Sequence, residues 1–515
     1  MQNALETNKY IAELWLSNNN IMTKGAVAIG EALEDKKYLE VLIMKQNDIN
    51  AEGVVALQNV LTNSRNLKEL NLSSNNTGDE GAQLLAECLK DKEFLTMLSL
   101  SDNGITSRGW VKLMKSITKN ETLSDLYLSN NQIETDGAKA IADACANKRD
   151  LKNLDIDNNR FSAEGAAIIA DIFKRIPVSK IVLVKNNVSV EGALALSQAI
   201  KKNSNLTQLV LSNNGIPDEG IRHIAEALNE NTILTDLFMG YNDLSEAGGL
   251  DLCQSLGNKS KLKILGLSNW QLSEEAVRAL APAIEQNTWL KEIYLYSNGI
   301  NEEGGIELAK ALENKQGITK IGLSNNRIGN SGALALAESL SDKLQLTKLG
   351  LESNGIGPDG TVAIAKSLSQ NESLTELFLS GNGMKNEGFF AIASIIKNKP
   401  NLVVLGLEGN MIKDAKGFDV FVENISSATK LERIFFNNNL IGDHAAQRFS
   451  QSLPLTNSLK EINLSHNSIE NDGAEAIAEG LAKNSSITSL QLWSNDIGNS
   501  ACVAFVDALK VWFLL

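Results

Sequence analysis

Two carboxylates separated by one residue, Asp155 and Asp157, come nearest to acid–base chemistry in this sequence. The two side chains of such a pair lie on one face of an extended strand. Catalysis would also need a nucleophile or base at a matching position, and Ser/His/Asp combinations occur here only as by-products of sequence repetition. A charged surface lining is the ordinary explanation of the pair, so we expect that the protein is not an enzyme.

The residue types that bind metals are too dispersed to form a site. The histidines and cysteines are His223, His444, His466, Cys88, Cys145, Cys253 and Cys502. Zinc sites draw on grouped ligands, and the sequence has no such group. Cys145 takes a place that Leu or Ile fills in most repeats, so we expect buried free thiols and no disulfides. We predict no cofactor and no metal.

The composition argues against two classes of partner. A formal net charge of −14 repels phosphate backbones, so we expect no binding to nucleic acid. The apolar residues are spread at regular intervals, and the first residues lack the basic start and apolar core of a secretory signal. We therefore predict no membrane association and a cytoplasmic location.

The pattern LxxLxLxxNxI recurs at a period of 28 residues from Ile11 to Ile497. We number each repeat from its first apolar residue, so the asparagine is position 9. The LxxLxL segment alternates apolar and polar residues and predicts one short strand in each repeat. A glycine usually follows six residues after the asparagine, and we expect that a Cβ there would crowd the neighbouring coil. Apolar residues four apart then predict a helix.

The asparagine at position 9 is kept from Asn19 to Asn495, with Trp270 as the one replacement. It stands where the chain turns away from the strand and leaves backbone groups unpaired. An amide both donates and accepts hydrogen bonds, so we predict a buried asparagine ladder that runs from repeat to repeat. Because helices join strands that share one direction, the predicted sheet is parallel, with the helices on one side.

These residues resemble the leucine-rich repeat superfamily. The long helical form with Gly-Ala-x-x-Leu-Ala is similar to the ribonuclease-inhibitor-like class, and the segment from Leu209 to Ile216 is similar to repeats of NOD-like receptors and RanGAP. The resemblance implies an α/β leucine-rich repeat solenoid of about 18 repeats of 28 residues. It implies the fold and leaves the function open, since unrelated activities use this architecture.

We expect a single leucine-rich repeat domain over residues 1–515. Its strands are predicted near residues 11, 39, 67, 95, 123, 151, 178, 206, 234, 262, 290, 318, 346, 374, 402, 431, 459 and 487. Strands about 4.8 Å apart beside helices about 8–10 Å apart must curve the array. We predict a horseshoe, with the sheet on the concave face and the helices on the convex face, that nearly closes or rises as a superhelix.

Three places depart from the regular repeat. The spacing between ladder positions is 27 residues from Asn159 to Asn186, around Pro177, and 29 from Asn410 to Asn439. We predict that both changes lie in the helix or its return loop. In repeat 10 three departures coincide, at Trp270, Ala276 and Pro282. They indicate either a benign irregularity or a hinge or docking site, because an interior proline bends a helix and the ladder loses an amide.

The ends of the chain lack polar capping repeats. Ala4, Leu5 and Asn8 match a late-helix phrase, and Leu515 stands at the first leucine position of a further repeat. Two explanations remain open at this point. Either the chain is part of a longer protein, or its apolar tail covers the last coil.

Side chains at positions 3, 5, 7 and 8 are predicted to line the concave face. Acidic residues there outnumber basic residues by two to one, which favours a protein partner with basic patches. Aromatic residues on this face either provide a docking patch or pack over neighbouring glycines. The candidate partner-binding residues are Trp15, Tyr127, Asp155, Asp157, Asp236, Phe238, Tyr241, Glu292, Tyr294, Tyr296, Phe378, Phe435 and Trp493.

The leading hypothesis for function is a non-enzymatic scaffold that binds a protein on its concave, acidic and aromatic face. The resemblance allows two alternatives. One is a RanGAP-like activator of a GTPase, although the chain lacks the acidic tail of many such proteins. The other is the sensor repeats of a NOD-like receptor, although no GxxxxGK[ST] segment for nucleotide binding occurs.

Overall fold

The computed structural model describes residues 5, 8, 10–34, 36–176 and 178–512. The chain divides into two compact units, residues 1–262 and 263–515, which are described separately. Strand and helix alternate throughout both units, as the sequence predicts. The prediction of a single domain stays a prediction.

The first unit contains nine strands and nine helices among its described residues. The strands are β1 (Glu13–Trp15), β2 (Val41–Ile43), β3 (Glu69–Asn71), β4 (Met97–Ser99), β5 (Asp125–Tyr127), β6 (Asn153–Asp155), β7 (Lys180–Val182), β8 (Gln208–Val210) and β9 (Asp236–Phe238). The helices are α1 (Met22–Leu33), α2 (Ala51–Asn63), α3 (Gly78–Leu89), α4 (Ser107–Ser116), α5 (Thr135–Cys145), α6 (Ala163–Arg175), α7 (Ser189–Lys202), α8 (Asp218–Glu230) and α9 (Glu246–Ser255).

The second unit repeats this order in its described part. The strands are β10 (Ile264–Gly266), β11 (Glu292–Tyr294), β12 (Lys320–Gly322), β13 (Lys348–Gly350), β14 (Glu376–Phe378), β15 (Val404–Gly406), β16 (Arg433–Phe435), β17 (Glu461–Asn463) and β18 (Ser489–Gln491). The helices are α10 (Glu274–Gln286), α11 (Glu302–Leu312), α12 (Gly329–Leu340), α13 (Gly357–Leu368), α14 (Lys385–Ile395), α15 (Ala415–Ile425), α16 (Asp443–Ser450), α17 (Asn471–Leu481) and α18 (Asn499–Trp512).

Within each unit every strand pairs in parallel with the next strand along the chain. The register places equivalent positions side by side, so that Leu42 of β2 lies between Leu14 and Leu70. The leucines at position 4 face the helices, and Leu42 and Leu70 are fully buried. The predicted parallel arrangement of the α/β fold is confirmed.

Most helices have a glycine near their start, and close packing leaves no room there for a side chain, as predicted. In α2 the side chain of Asn50 accepts a hydrogen bond from the N–H of Gly53 and caps the helix. A Cβ on Gly53 would lie 2.4 Å from Cγ2 of Ile49 and 3.3 Å from Cβ of Ala26 in the preceding repeat. The crowding therefore comes from the glycine's own coil as well as from its neighbour.

The asparagine ladder is present and binds adjacent repeats together. Nδ2 of Asn75 donates to the carbonyl of Leu72 in its own coil and to that of Met44 in the preceding coil, both at 2.9 Å. Its Oδ1 accepts from the N–H groups of Asn47 and Ile49, both at 3.0 Å. Asn75 is fully buried. One side chain therefore hydrogen-bonds to backbone groups in two repeats, and it shares the carbonyls of Met44 and Leu72 with Asn47 and Asn103 of the adjacent repeats.

A second ladder, at position 26, lies in the return loops and was not predicted from the sequence. Lysine or asparagine occupies the position in most repeats, and these residues are buried at Lys36, Lys92, Asn120, Lys148, Asn203, Asn231, Lys259, Asn287, Lys315, Lys343, Asn371, Lys399 and Asn484. We call them the return ladder. Nζ of Lys399 donates to the carbonyls of Leu368 at 2.8 Å and of Asn371 at 2.7 Å. Leu368 ends α13, so the ammonium caps the helix of the preceding repeat.

Repeat 10 keeps its hydrogen bond to the next coil although it lacks the ladder amide. Trp270 is buried, and its backbone N–H donates to Oδ1 of Asn298 at 2.7 Å. Ala276, which replaces the glycine, is also buried. Helix α10 continues as one helix with Pro282 inside it. Whether repeat 10 acts as a hinge or docking site stays a prediction.

The two changes in repeat length fall at different places. In the short repeat the loss lies in the return loop between Ile176 and Val178, as predicted, although Pro177 itself lies outside the described residues. For the long repeat the prediction is wrong. Its helix cap, Asp414, stands four residues after Asn410, whereas Asn50 stands three after Asn47. The extra residue therefore lengthens the loop before the helix.

Three of the four cysteines are buried free thiols, as predicted. They are Cys88, Cys145 and Cys253, and burial raises the pKa of the Cys145 thiol to about 12. Cys502 is exposed, which contradicts the prediction. The equivalent residue Ala474 is covered by the next helix, whereas α18 is the last helix in the described part of the chain. The predictions about the two ends of the chain concern Ala4 and Leu515, which lie outside the described residues.

We predict that Asn75→Ala lowers the free energy of unfolding by about 3–5 kcal/mol, because buried N–H and carbonyl groups in two repeats lose their partner. Urea unfolding followed by circular dichroism measures the change. Asn59→Ala is the control, since this asparagine lies on an exposed helix face, and it should stay within about 0.5 kcal/mol of wild type. Equal effects of the two substitutions would contradict the structural role of the ladder.

We predict that Lys399→Met lowers the free energy of unfolding by about 1–3 kcal/mol, because buried carbonyls at the end of α13 lose a donor. Lys399→Asn should cost less, since Asn371 fills the equivalent position in the preceding repeat with an amide. The exposed Lys397→Met serves as the control in the same unfolding experiment. A Lys399→Met protein as stable as this control would show that the capping bonds contribute nothing.

Candidate functional site

The side chains at positions 3, 5, 7 and 8 of the repeats form the surface of the sheet that faces away from the helices. We call this surface the strand face, and each unit has one. Three large aromatic side chains on it are well exposed, at 63% for Trp15, 53% for Tyr241 and 59% for Trp493. The other predicted site residues are half-buried. Exposed rings of this size are typical of surfaces that bind other proteins.

The predicted pair Asp155 and Asp157 lies together on the first unit's strand face. The backbone N–H of Asp157 donates to Oδ1 of Asp155 at 3.2 Å, and the N–H of Val184 donates to Oδ1 of Asp157 at 2.8 Å. Burial, followed by the negative charge of Asp155, raises the pKa of Asp157 to about 7. Burial also raises the pKa of Asp155, against the opposing effect of Lys180.

Tyr127 lies next to this pair in the sheet. Tyr127 of β5 is in register with Asp155 of β6. Burial, followed by the charge of Asp125, raises the pKa of the Tyr127 phenol. The structure therefore brings Tyr127, Asp155 and Asp157 together as one half-buried acidic patch.

The remaining predicted residues of the first unit do not join this patch. Trp15 belongs to β1, four strands from β5, and its Nε1 donates to Glu13 at 3.2 Å. Asp236 and Phe238 belong to β9, where Oγ1 of Thr235 donates to Asp236 at 2.6 Å. Tyr241 lies near them at position 8, with a positive φ of 58°.

In the second unit Glu292, Tyr294 and Tyr296 form a connected cluster. The Tyr294 hydroxyl donates to Oε2 of Glu292 at 2.7 Å, and the two tyrosine rings lie 5.8 Å apart. Burial and this hydrogen bond raise the pKa of the Tyr294 phenol. Lys320 of the next strand pairs with Glu292 at 3.1 Å. The cluster is held in place before any partner arrives.

Two rings lie over glycines of the following strand, as the packing explanation for the aromatic residues requires. The Tyr296 ring occupies the place where a Cβ on Gly322 would stand, and Cδ1 of Phe378 would be 2.9 Å from a Cβ on Gly406. Nζ of Lys348 lies 5.2 Å from the centre of the Phe378 ring. Tyr296 and Phe378 both pack on the strand and stay half-buried, so part of each ring is still exposed.

The acidic excess of this face is locally smaller than the sequence count indicates. Lys348 pairs with Glu376 at 2.7 Å, in addition to the pair between Lys320 and Glu292. The in-register order of position 3 from β11 to β14 is Glu, Lys, Lys, Glu. Parallel strands place the same repeat position side by side, so a comparison of position 3 in successive repeats could have revealed these pairs from the sequence.

Sequence reasoning counted Glu352 and Glu408 among the acidic residues of this face but missed the hydrogen bonds that position 7 makes. Ser324 donates to Glu352, and Ser380 donates to Glu408, each across adjacent strands. Phe435 and Trp493 belong to β16 and repeat 18, away from the tyrosine cluster, and Trp493 contacts the ring of His466 edge-on at 4.2 Å. The predicted residues of the second unit are therefore spread along its strand face, and among these described residues only Glu292, Tyr294 and Tyr296 contact one another.

A polar cavity of about 530 Å³ lies beside the asparagine ladder of the first unit. It is lined by Asp102, Asn130, Asn131, Gln132, Asn158, Asn159 and Arg160. None of the predicted site residues lines it. Within the described ranges, no group of three His, Cys, Asp or Glu side chains is placed to hold a metal ion, and none of the helices there is long and apolar enough to cross a bilayer.

The leucine-rich repeat family model matches nine segments of the chain. They are residues 36–57, 63–86, 119–142, 202–225, 286–309, 318–337, 370–393, 457–478 and 483–506. These matches identify leucine-rich repeats in the nine segments, and the alternation of strand and helix agrees with an α/β leucine-rich repeat solenoid. No curated protein sequence matches it significantly.

Two solved structures are similar to this chain at low identity. A leucine-rich repeat protein of Leptospira interrogans is 19% identical, with 88% of this chain and 90% of that chain covered and a TM-score of 0.44. An internalin of Listeria monocytogenes is 17% identical, with 79% of this chain and 88% of that chain covered and a TM-score of 0.41.

We predict that Asp157→Asn changes how stability depends on pH. A folded pKa of about 7, above the usual 3.8, means that Asp157 contributes stability that is fully present below pH 3.8 and lost as the pH rises through 7. The wild type should lose stability between pH 4 and pH 8 relative to Asp157→Asn, in which the amide oxygen can still accept from Val184. Thermal unfolding across this range measures the difference. The control, Thr232→Ala at an exposed uncharged position, should follow the wild-type curve. An Asp157→Asn curve parallel to wild type would refute the assignment.

Proposed function

We propose that this protein is a non-enzymatic scaffold that binds another protein through its strand face. The observation that carries the proposal is the exposure of Trp15 and Tyr241 on the strand face of the first unit and of Trp493 on that of the second unit. Rings on a rigid support bury large areas at little entropic cost when a partner binds. Leucine-rich repeat domains are typically scaffolds of this kind, which agrees with the proposal.

The chemistry of the proposed partner follows from the charge of the surface. The chain carries a net charge of −14, and the first unit's strand face holds the patch of Asp155 and Asp157. A protein with basic patches is complementary to such a surface and would associate faster at low salt. The lysines that pair with Glu292 and Glu376 confine the unbalanced negative charge to other parts of the face.

Two finer assignments belong to the same proposal. The helices of eight to 14 residues agree with the ribonuclease-inhibitor-like class of repeat. The buried free thiols Cys88, Cys145 and Cys253 agree with a reducing, cytoplasmic location, since disulfides form mainly in oxidising compartments.

We predict that Tyr294→Ala, Tyr296→Ala and Phe378→Ala together reduce the recovery of partner proteins about tenfold, because central aromatic residues supply much of the binding energy of an interface. Affinity capture from a cell extract, quantified by mass spectrometry, compares this triple variant with wild type. Circular dichroism verifies that both are folded.

The matched control removes three exposed apolar side chains of the second unit that lie off the strand face, Trp289→Ala, Leu334→Ala and Phe390→Ala. This variant should recover the same partners as wild type. If both triple variants recover every protein equally well, the aromatic residues of β11 to β14 do not bind the partner, and the same experiment with Trp15→Ala, Tyr241→Ala and Trp493→Ala decides whether the strand face binds it at all. If the control loses the partners instead, binding occurs outside the strand face.

A further inference from the structure

Position 7 of repeats 14 to 18 forms a continuous row of polar and aromatic side chains. The row consists of Ser380, Glu408, Asn437, Ser465 and Trp493, and we call it the position-7 row. Backbone hydrogen bonds hold its members side by side. The N–H of Gly409 donates to the carbonyl of Asn437 at 3.0 Å, that of Asn438 to Ser465 at 3.0 Å, and that of His466 to Trp493 at 2.9 Å.

Glu408 is oriented by its neighbour and keeps one oxygen available. Oγ of Ser380 donates to Oε2 of Glu408, and this oxygen lies 3.3 Å from where a Cβ on Gly406 would stand. The carboxylate therefore rests on the strand where a side chain at position 5 would otherwise lie. Its Oε1 accepts no hydrogen bond from the described residues and can accept a donor from outside.

The next two residues in the row contain buried polar atoms that lack hydrogen bonds within the described part of the chain. These atoms are Oδ1 of Asn437 and Oγ of Ser465, and Ser465 is completely buried. A buried polar atom without a partner is unfavourable, so such atoms are rare in folded proteins. Both belong to neighbouring positions of the row. They continue the line of oxygens that begins at Glu408, below the accessible surface.

Aromatic side chains border these acceptors. Trp493 is 59% exposed and lies in register after Ser465, while His466 contacts its ring edge-on at 4.2 Å. Phe435 lies at position 5 and ends β16, two residues before Asn437. An exposed indole face attracts a cation that sits over it. The site therefore combines a negative charge, neutral acceptors and a π surface.

We propose that the position-7 row from Glu408 to Trp493 is a subsite for arginine side chains of the protein partner. This inference rests on the proposed function and names the chemistry that one part of the strand face recognises. The planar guanidinium carries five N–H donors and stacks on aromatic rings, so one arginine pairs with Oε1 of Glu408 and a second stacks on Trp493. A lysine ammonium has three donors and does not stack as a plane, so it fits the row less completely.

The test uses fluorescein-labelled peptides of four Gly-Ser-Arg repeats, with lysine or citrulline in place of arginine in two companion peptides. Fluorescence anisotropy at low salt measures their dissociation constants for the full chain. We expect the arginine peptide to bind about tenfold more tightly than the lysine peptide, and the uncharged citrulline peptide to bind weakest. Equal affinities for arginine and lysine would overturn the proposal, because general electrostatic attraction would then suffice.

Two substitutions that each remove one negative charge, at different places, test where the arginine peptide binds. Glu408→Gln should weaken the arginine peptide about tenfold, and its amide oxygen can still accept from Ser380, so the fold is preserved. Glu423→Gln, on an exposed position of α15, is the control and should leave the affinity unchanged. Trp493→Ala should weaken the arginine peptide more than the lysine peptide. Identical affinities of Glu408→Gln and Glu423→Gln would place the peptide elsewhere.

The peptide experiment and the capture experiment can fail separately. If the aromatic triple variant loses its partners while Glu408→Gln binds the arginine peptide normally, the scaffold function stands and the arginine subsite falls. If Glu408→Gln weakens binding of the arginine peptide while the aromatic triple variant captures the same partners as wild type, the subsite stands and the proposed wider docking surface is wrong.

Discussion

The structure depends on the hydrogen bonds that the buried asparagine at position 9 makes to two repeats at once. A strand of three residues and a short helix cannot bury enough surface to be stable alone. The turn between them also leaves N–H and carbonyl groups unpaired in the interior. Asn75 satisfies such groups in its own coil and in the preceding one. Each repeat is therefore completed by its neighbour, which makes the array cooperative.

The return ladder solves the same problem at the opposite end of the helices. There the helices end with unsatisfied carbonyl acceptors. A donor without acceptors is suited to this place, and the long side chain of lysine reaches from one repeat to the helix end of the one before. Burial lowers the pKa of Lys399 to about 8, which is the cost of placing an ammonium there. Asparagine at Asn120 or Asn371 makes similar contacts without a charge.

Because the two ladders hold both ends of each repeat, the side chains of the strand face contribute little to holding the repeats together. Its positions can therefore carry charged and aromatic residues. The parallel register places equivalent positions of adjacent repeats side by side, like the rows of a grid, so the local charge and hydrogen bonding depend on which residues occupy neighbouring rows. Lysine next to glutamate gives a neutral pair at Lys320 and Glu292, whereas Asp155 beside Asp157 leaves a carboxyl whose pKa rises to about 7. The same grid produces the row of acceptors from Glu408 to Ser465.

The period of the sequence by itself determined the strands, the helices, the parallel sheet and the asparagine ladder, because each follows from local periodicity and from backbone groups that need a partner. It also determined which positions, such as those of Trp15 and Tyr294, lie on the strand face. The tertiary structure alone decided which side chains pair across strands, where the extra residue before Asp414 lies, and that Lys399 is buried. A lysine at a helix end is typical of a solvated surface, and only the position of the preceding helix shows that it is a cap.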